Sequence, residues 1–216
     1  MNKKVLHDIT YGLYAVSTSF DNIDSGCIIN TLTQITSKNP IVSISLNKEN
    51  YTNEVIKKSK KFVVSILSND TSKESITEFG YFSSRDKDKF ENIETIEEDG
   101  IKVFSDKITG YIVCEVLDII DAETHDIFLG RVIKETSISE LEPMTYKYYR
   151  ENLKGTSPKN APTFDENITS GDAKKYRCIY CGYIYDDAKE AVKFEDLGPD
   201  YACPLCGMKN AFKEIK

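Results

Sequence analysis

The chain has 216 residues, enough for one large domain or an ordinary domain plus a small one. Its 35 Asp and Glu against 28 Lys and Arg leave a net charge of −7, which speaks against a nucleic-acid binder and its basic face. No stretch reaches the ~18 apolar residues of a membrane helix, and "MNKKVLHDITYGLY" carries no apolar signal core, so a cytoplasmic protein with reduced thiols is expected, with no membrane partner.

From residue 10 to about 137 the pattern favours strands. "LYAVSTSF", "IVSISLN", "KFVVSILS", "GYIVCEVLDII" and "DIFLGRVIKET" are β-branched and aromatic runs broken by turn formers. Runs of this kind suggest a sandwich or barrel, hence a mainly β first domain. Two helices are expected between them, over 52–60 with Asn50 or Thr52 as its cap and around 71–81. Cys27 and Cys114 stand alone in strand-like stretches and read as small buried hydrophobes.

No Gly-x-Gly-x-x-Gly follows a strand, and no phosphate-binding Gly-Lys-Ser/Thr loop is present. What stands out instead is the stretch from "NTLTQIT" through a proline turn to "IVSISLN", which ends in Lys48, Asn50 and Thr52 just before a helix. A helix N-terminus beside a lysine, an amide and a hydroxyl could cradle a phosphate. The same residues also describe a capped helix with an exposed lysine, and both alternatives stand.

After residue 150 the composition shifts. Residues 151–173 are rich in Pro, Gly, Ser, Thr and Asn and read as a linker. The segment 174–216 is too short to fold on a hydrophobic core alone and needs a staple. Cys178, Cys181, Cys203 and Cys206 form two Cys-x-x-Cys pairs, each followed by a glycine. Two such turns make a tetrahedral four-sulfur site, which suits zinc or iron.

The surroundings of those pairs, "KYRCIYCGYIYD" and "LGPDYACPLCG", resemble rubredoxin. That resemblance implies one iron on Cys178, Cys181, Cys203 and Cys206, inside a small core of Tyr176, Tyr183, Tyr185, Phe194, Tyr201 and Phe212. There are departures. Only 21 residues separate Cys181 from Cys203, fewer than in most free-standing rubredoxins, and Tyr201 stands at the usual Trp position. The shorter gap moves towards zinc-ribbon spacing.

Residues 8–150, through "YGLYAVST", "GCIINTLTQIT", "NPIVSISLNKENYTNEVI" and "FGYFSSRDKDKF", resemble the flavin reductase-like, FMN-binding split-barrel family. The resemblance implies FMN as cofactor. It sets Asn30, Thr31 and Thr33 at the flavin edge or ribityl chain, and Ser45, Leu46 and Asn47 along the ring. Lys48, Asn50 and Thr52 take the phosphate. Phe82 and Ser83 lie near the cofactor, with Arg85 and Lys89 as phosphate partners. "THDIFLGRVI" resembles a family strand that sets His125 beside the flavin or nicotinamide, where the plain alternative is a hydrogen-bonded strand-end histidine. The tyrosines of 142–164 stack on flavin or on a second subunit, and members are usually homodimers.

The fused order resembles the high-molecular-weight rubredoxins. It implies electron flow from NADH or NADPH through FMN to iron and on to a flavodiiron protein that reduces oxygen or nitric oxide. The alternatives are a flavin reductase that releases free reduced flavin, a zinc-ribbon sensor or scaffold, and a protein electron donor in place of NAD(P)H.

Overall fold

β-branched residues alternate with small polar ones along "YAVSTSF", and in the computed structural model this run is β1 (Tyr14–Phe20). The structure describes residues 4–153, 155, 161–163, 174–187, 190, 192–199 and 201–215. The chain divides into two units, Met1–Gly155 and Thr156–Lys216.

In the first unit β1 is followed by β2 (Ile23–Ile29), β3 (Thr33–Thr36), β4 (Ile41–Asn47), α1 (Tyr51–Ser59), β5 (Lys61–Leu67) and α2 (Lys73–Tyr81). Then come β6 (Thr95–Glu98), β7 (Ile101–Phe104), β8 (Ile108–Ala122), β9 (His125–Ser137) and α3 (Tyr146–Glu151). Seven strands pair antiparallel in the order β2-β1-β5-β8-β9-β4-β3, and β6-β7 form a separate hairpin. The tight turns use residues that tolerate positive φ: Asp21 and Asn22 join β1 to β2, and Asp99 with Gly100 join β6 to β7. Two register shifts bend these long strands: at Val116/Asp118 the extra residue is Leu117 on β8, and at Val113/Cys114 it is Ile133 on β9.

Side-chain alternation sorts the faces. On β4, Val42, Ile44 and Leu46 are buried, while Ser43, Ser45 and Asn47 are half-buried on the other side. The inward set joins Phe62 and Phe128 in one core cluster, with Cys27 and Cys114 among them. Both cysteines are buried, and burial pushes the Cys114 thiol up to about 12. They are core residues, as expected. Gly130 lets β9 approach Phe62, for a Cβ there would sit 2.5 Å from the ring. A second cluster, around Phe79, Phe104 and Tyr111, lies under α2 and the β6-β7 hairpin.

The two ends of the sheet meet. Thr31 Oγ1 donates to Ser45 O at 2.9 Å and accepts from Ser45 N at 3.1 Å, so the β2–β3 connection is stitched to β4. α1 lies across this seam. Its cap is Asn50, whose side chain accepts from Thr52 N, and it stops at Lys60, which adopts a left-handed conformation. The helix runs one residue earlier than the sequence suggests.

α3 was not foreseen. Thr145 caps it by accepting from Tyr148 N, and Tyr149, Tyr146 and Leu153 pack into the first unit's own core. Tyr146 meets the Tyr11 ring edge-on. Tyr149 is buried in this core, and Tyr146 is half-buried against it. The first unit continues through Gly155, whose N–H donates to Tyr149 O, and most of the expected linker 151–173 lies outside the described residues.

The second unit has β10 (Lys175–Cys178), β11 (Ile184–Asp186) and β12 (Phe212–Ile215) in the antiparallel order β11-β10-β12. Among the described residues no helix is long and apolar enough to cross a membrane.

Candidate functional site

The two Cys-x-x-Cys turns of the second unit are near copies of one another. Cys178 N–H donates to Tyr183 O and Cys203 N–H to Met208 O, while Gly182 N–H returns to Cys178 O and Gly207 N–H to Cys203 O. Gly182 and Gly207 hold φ of 77° and 70°, and a Cβ at either would meet nothing within 4 Å. Conformation alone therefore demands glycine there. Gly182→Ala is expected to cost about 1–2 kcal/mol through left-handed strain, read as a lower melting temperature of the metal-site absorbance, with Gly182→Asn closer to wild type.

These turns bring all four sulfurs within 4.8 Å of one another. Cys178 and Cys206 are 3.7 Å apart and Cys181 and Cys203 3.5 Å. A tetrahedron with metal–sulfur bonds of about 2.3 Å has edges of about 3.8 Å, so the donor set fits one four-coordinate ion. Burial acts to raise the Cys178 thiol, but amide N–H groups of Cys181 and Tyr180 aimed at the sulfur outweigh it and bring the pKa to about 7. Cys178 and Cys203 are buried, while Cys181 and Cys206 reach the surface.

Beneath the site the six expected aromatics form one network with Phe194 at its centre. Phe194 stacks on Tyr176 at 4.1 Å and contacts Tyr185, Tyr201 and Phe212. Tyr183 meets Phe212 edge-on. Tyr201 contacts both Tyr185 and Phe212, so a tyrosine fills the position expected for Trp.

In the first unit, strand register gathers several expected residues. Asn47 pairs with His125 and Ser45 with Ile127 across β4–β9, and Thr33 pairs with Ser43 across β3–β4. Cross-strand partners share a face. Thr33, Ser45, Asn47 and His125 thus stand together on the side of the sheet opposite the core. His125 Nδ1 contacts Thr124 Oγ1 at 2.9 Å, but its Nε2 is buried with no hydrogen-bond partner among the described residues. An unmet buried polar atom costs roughly 1–3 kcal/mol, so Nε2 suits the polar edge of a bound group.

Other expected ligands are already engaged. Leu46 is 2 % exposed in the core, so only its backbone is available. The Thr31 hydroxyl is committed to both backbone groups of Ser45. Asn30 is buried at the end of β2. Asn50 is occupied as the α1 cap, and Thr52 turns inward to Ser25 Oγ at 3.0 Å. Lys48 Nζ pairs with Asp121 at 2.5 Å, and its N–H donates to Thr124 O.

The segment from Phe82 to Lys89 lies against the first turn of α1 and the free edge of β2. Arg85 donates to Glu54 at 2.6 Å and sits over the Tyr51 ring, and Ser83 Oγ accepts from Arg85 N. Phe82 is exposed beneath Lys87. Ser84 Oγ accepts from Gly26 N, while Lys89 Nζ donates to Gly26 O and Phe79 O, each at 2.8 Å. Two side chains thus satisfy an edge residue as a neighbouring strand would. Lys89, expected at a phosphate, is instead 3 % exposed beneath the segment, because those two carbonyls hold its ammonium inside. The structure does bring Lys48–Asn50 and Ser83–Arg85 to the same end of α1.

A family model described as "Flavin reductase like domain" matches residues 6–157, most of the chain. The chain belongs to the flavin reductase-like family. Among the relatives of this flavin reductase-like chain is the "High molecular weight rubredoxin" of Moorella thermoacetica, 37% identical over 229 aligned residues that span 100% of both chains. The "Ferric-chelate reductase (NAD(P)H)" of Archaeoglobus fulgidus is 32% identical over 168 residues, 77% of this chain and 99% of that one. The solved NADH:FAD oxidoreductase SgcE6 of Streptomyces globisporus, in complex with NAD and FAD fragments, shares the fold with a TM-score of 0.60. It is 21% identical, over 66% of this chain and 84% of that one.

Proposed function

We propose that this flavin reductase-like protein passes electrons from NADH or NADPH through bound FMN to one iron held by Cys178, Cys181, Cys203 and Cys206, and on to a protein acceptor such as a flavodiiron protein. The observation that carries this reading is the presence in one chain of a flavin reductase-like unit and a four-thiolate centre whose sulfurs fit a single ion. Bound flavin supplies a two-electron acceptor that can discharge singly, and thiolate-held iron supplies a one-electron carrier.

The residues divide the remaining work. Half-buried Ser45, Asn47 and His125, with exposed Thr33 beside them, offer the face for the flavin ring or nicotinamide, with His125 Nε2 as the polar contact. Lys48, with Ser83 and Arg85, supplies the cationic end for the phosphate, beside α1. Cys181 and Cys206 are exposed, and their neighbours Ile179, Tyr180, Leu205 and Met208 are exposed and mostly apolar, a suitable surface for a transient electron partner. We place the protein in the cytoplasm as a homodimer. Exposed Ile120 and Ile133 on β8 and β9 support an apolar contact between copies, testable by sedimentation.

The flavin placement is tested by titrating FMN into Asn47→Ala/His125→Leu. The dissociation constant is expected to rise about tenfold, a loss of about 1.4 kcal/mol. An unchanged constant would put the ring elsewhere.

A further inference from the structure

The buried part of the inward face of β9 carries one charge. Phe128 and Gly130 share that face of β9, and Val42, Ile44 and Leu46 line it from β4. Between them and α1 stands Asp126, 4 % exposed and register partner of Leu46. A buried carboxylate is costly unless paired and hydrogen-bonded, and an apolar residue would continue the core without that cost.

One oxygen of Asp126 is held by two side chains of α1. Its Oδ2 accepts from Asn53 Nδ2 at 2.9 Å and pairs with Lys57 Nζ at 2.6 Å. Asn53 and Lys57 are one helical turn apart, on the same side of the helix. Asn53 Nδ2 also donates to Leu46 O, so one amide joins the helix to both strands. On its other side α1 is tied to β2 through Thr52 and Ser25. The helix therefore bridges the seam between the ends of the sheet by polar contacts. Its apolar anchors are few: of its buried residues only Val55 and Ile56 are hydrophobic. A short helix with two apolar anchors can slide or rotate on a greasy surface, and a buried ionic contact is a known way of fixing register.

We infer that Asp126 is a positioning residue for flavin: with Asn53 in the first turn and Lys57 in the last, it fixes α1, and so its N-terminal end, relative to the β4–β9 face that carries Asn47 and His125. This rests on the flavin placement proposed above. The phosphate-bearing end of the ligand then meets a site at a set distance from the ring-binding face. When the clamp is released the ring face persists, because β4 and β9 stay paired, but the α1 end drifts.

The test compares FMN with riboflavin, which lacks the phosphate, in titrations of the full-length chain freed of flavin by dialysis. Asp126→Asn keeps the shape and the Asn53 contact but removes the charge. Lys57→Gln removes the same ion pair from its solvent side, where Lys57 is 42% exposed, and decides the matter if Asp126→Asn fails to fold. Each variant is expected to weaken FMN binding about tenfold and riboflavin binding less than about twofold, while Lys57→Arg retains wild-type FMN affinity. A merely structural clamp would weaken both flavins by the same factor, and that result, or unchanged FMN affinity, overturns the inference. A wild-type chain that binds neither flavin would instead overturn the flavin placement beneath it, and the inference with it.

Discussion

Cys178→Ser is expected to abolish the ferric–thiolate absorption and unfold the second unit while NAD(P)H-driven flavin reduction in the first unit continues unchanged. The size of the effect follows from how little else holds residues 174–215 together. Apart from the aromatic network, the buried cluster there is Cys178, Cys203 and Ala211. A segment this short falls below the size at which a hydrophobic core suffices. Ion binding to such thiolate sites contributes on the order of 10 kcal/mol to folding. Serine leaves three sulfurs and a hydroxyl that remains protonated, so most of that energy is lost. The check is the visible spectrum together with limited proteolysis, which should trim the C-terminal segment and leave a core ending near Gly155. Loss of flavin reduction in the same variant would show that the units do not act independently.

Lys89→Met is expected to flatten the pH dependence of stability between pH 8 and 10.5. Burial lowers the Lys89 pKa from 10.5 to about 8. Below pH 8 the residue is charged in both the folded and unfolded chain, and the folded state carries the full cost of burying an ammonium. Between about 8 and 10.5 the unfolded chain binds the proton and the folded chain does not, so stability rises with pH. Above 10.5 both forms are neutral. At 1.36 kcal/mol per pKa unit the rise amounts to roughly 3 kcal/mol. Urea unfolding of wild type and Lys89→Met, followed by far-ultraviolet circular dichroism across that range, measures it. A parallel pH dependence in the two proteins would mean that Lys89 is not the group responsible.

The strands were legible because their chemistry is local. "IVSISLN" alternates along its length, and β4 buries Val42, Ile44 and Leu46 on one face. The Cys-x-x-Cys-Gly pairs were legible because a metal knuckle is made within six residues and needs no distant contact. The β6–β7 hairpin, built on Asp99-Gly100 between "TIEE" and "IKVF", was missed although its turn dipeptide is a strong hairpin signal. The fates of Thr52 and Lys89 were not legible. Lys89 is inside because Gly26 O and Phe79 O, 63 and 10 residues away, converge on it. Thr52 turns inward because Ser25 arrives from β2. No sequence period reports such meetings. Asp126 left a trace: in "DIFLGRV" a charge falls in phase with the buried Phe128 and Gly130, and a charge on an inward phase calls for a partner.

The electron path from NAD(P)H through flavin to iron is tested most directly by an anaerobic visible spectrum of the purified protein before and after NADH or NADPH is added, with metal analysis of the same sample. It predicts one iron per chain and bands from both flavin and ferric thiolate, with flavin bleaching first and the thiolate band following. Zinc in place of iron, or a thiolate band that persists after the flavin is reduced, would contradict it and leave the C-terminal unit as a structural ribbon beside a flavin reductase.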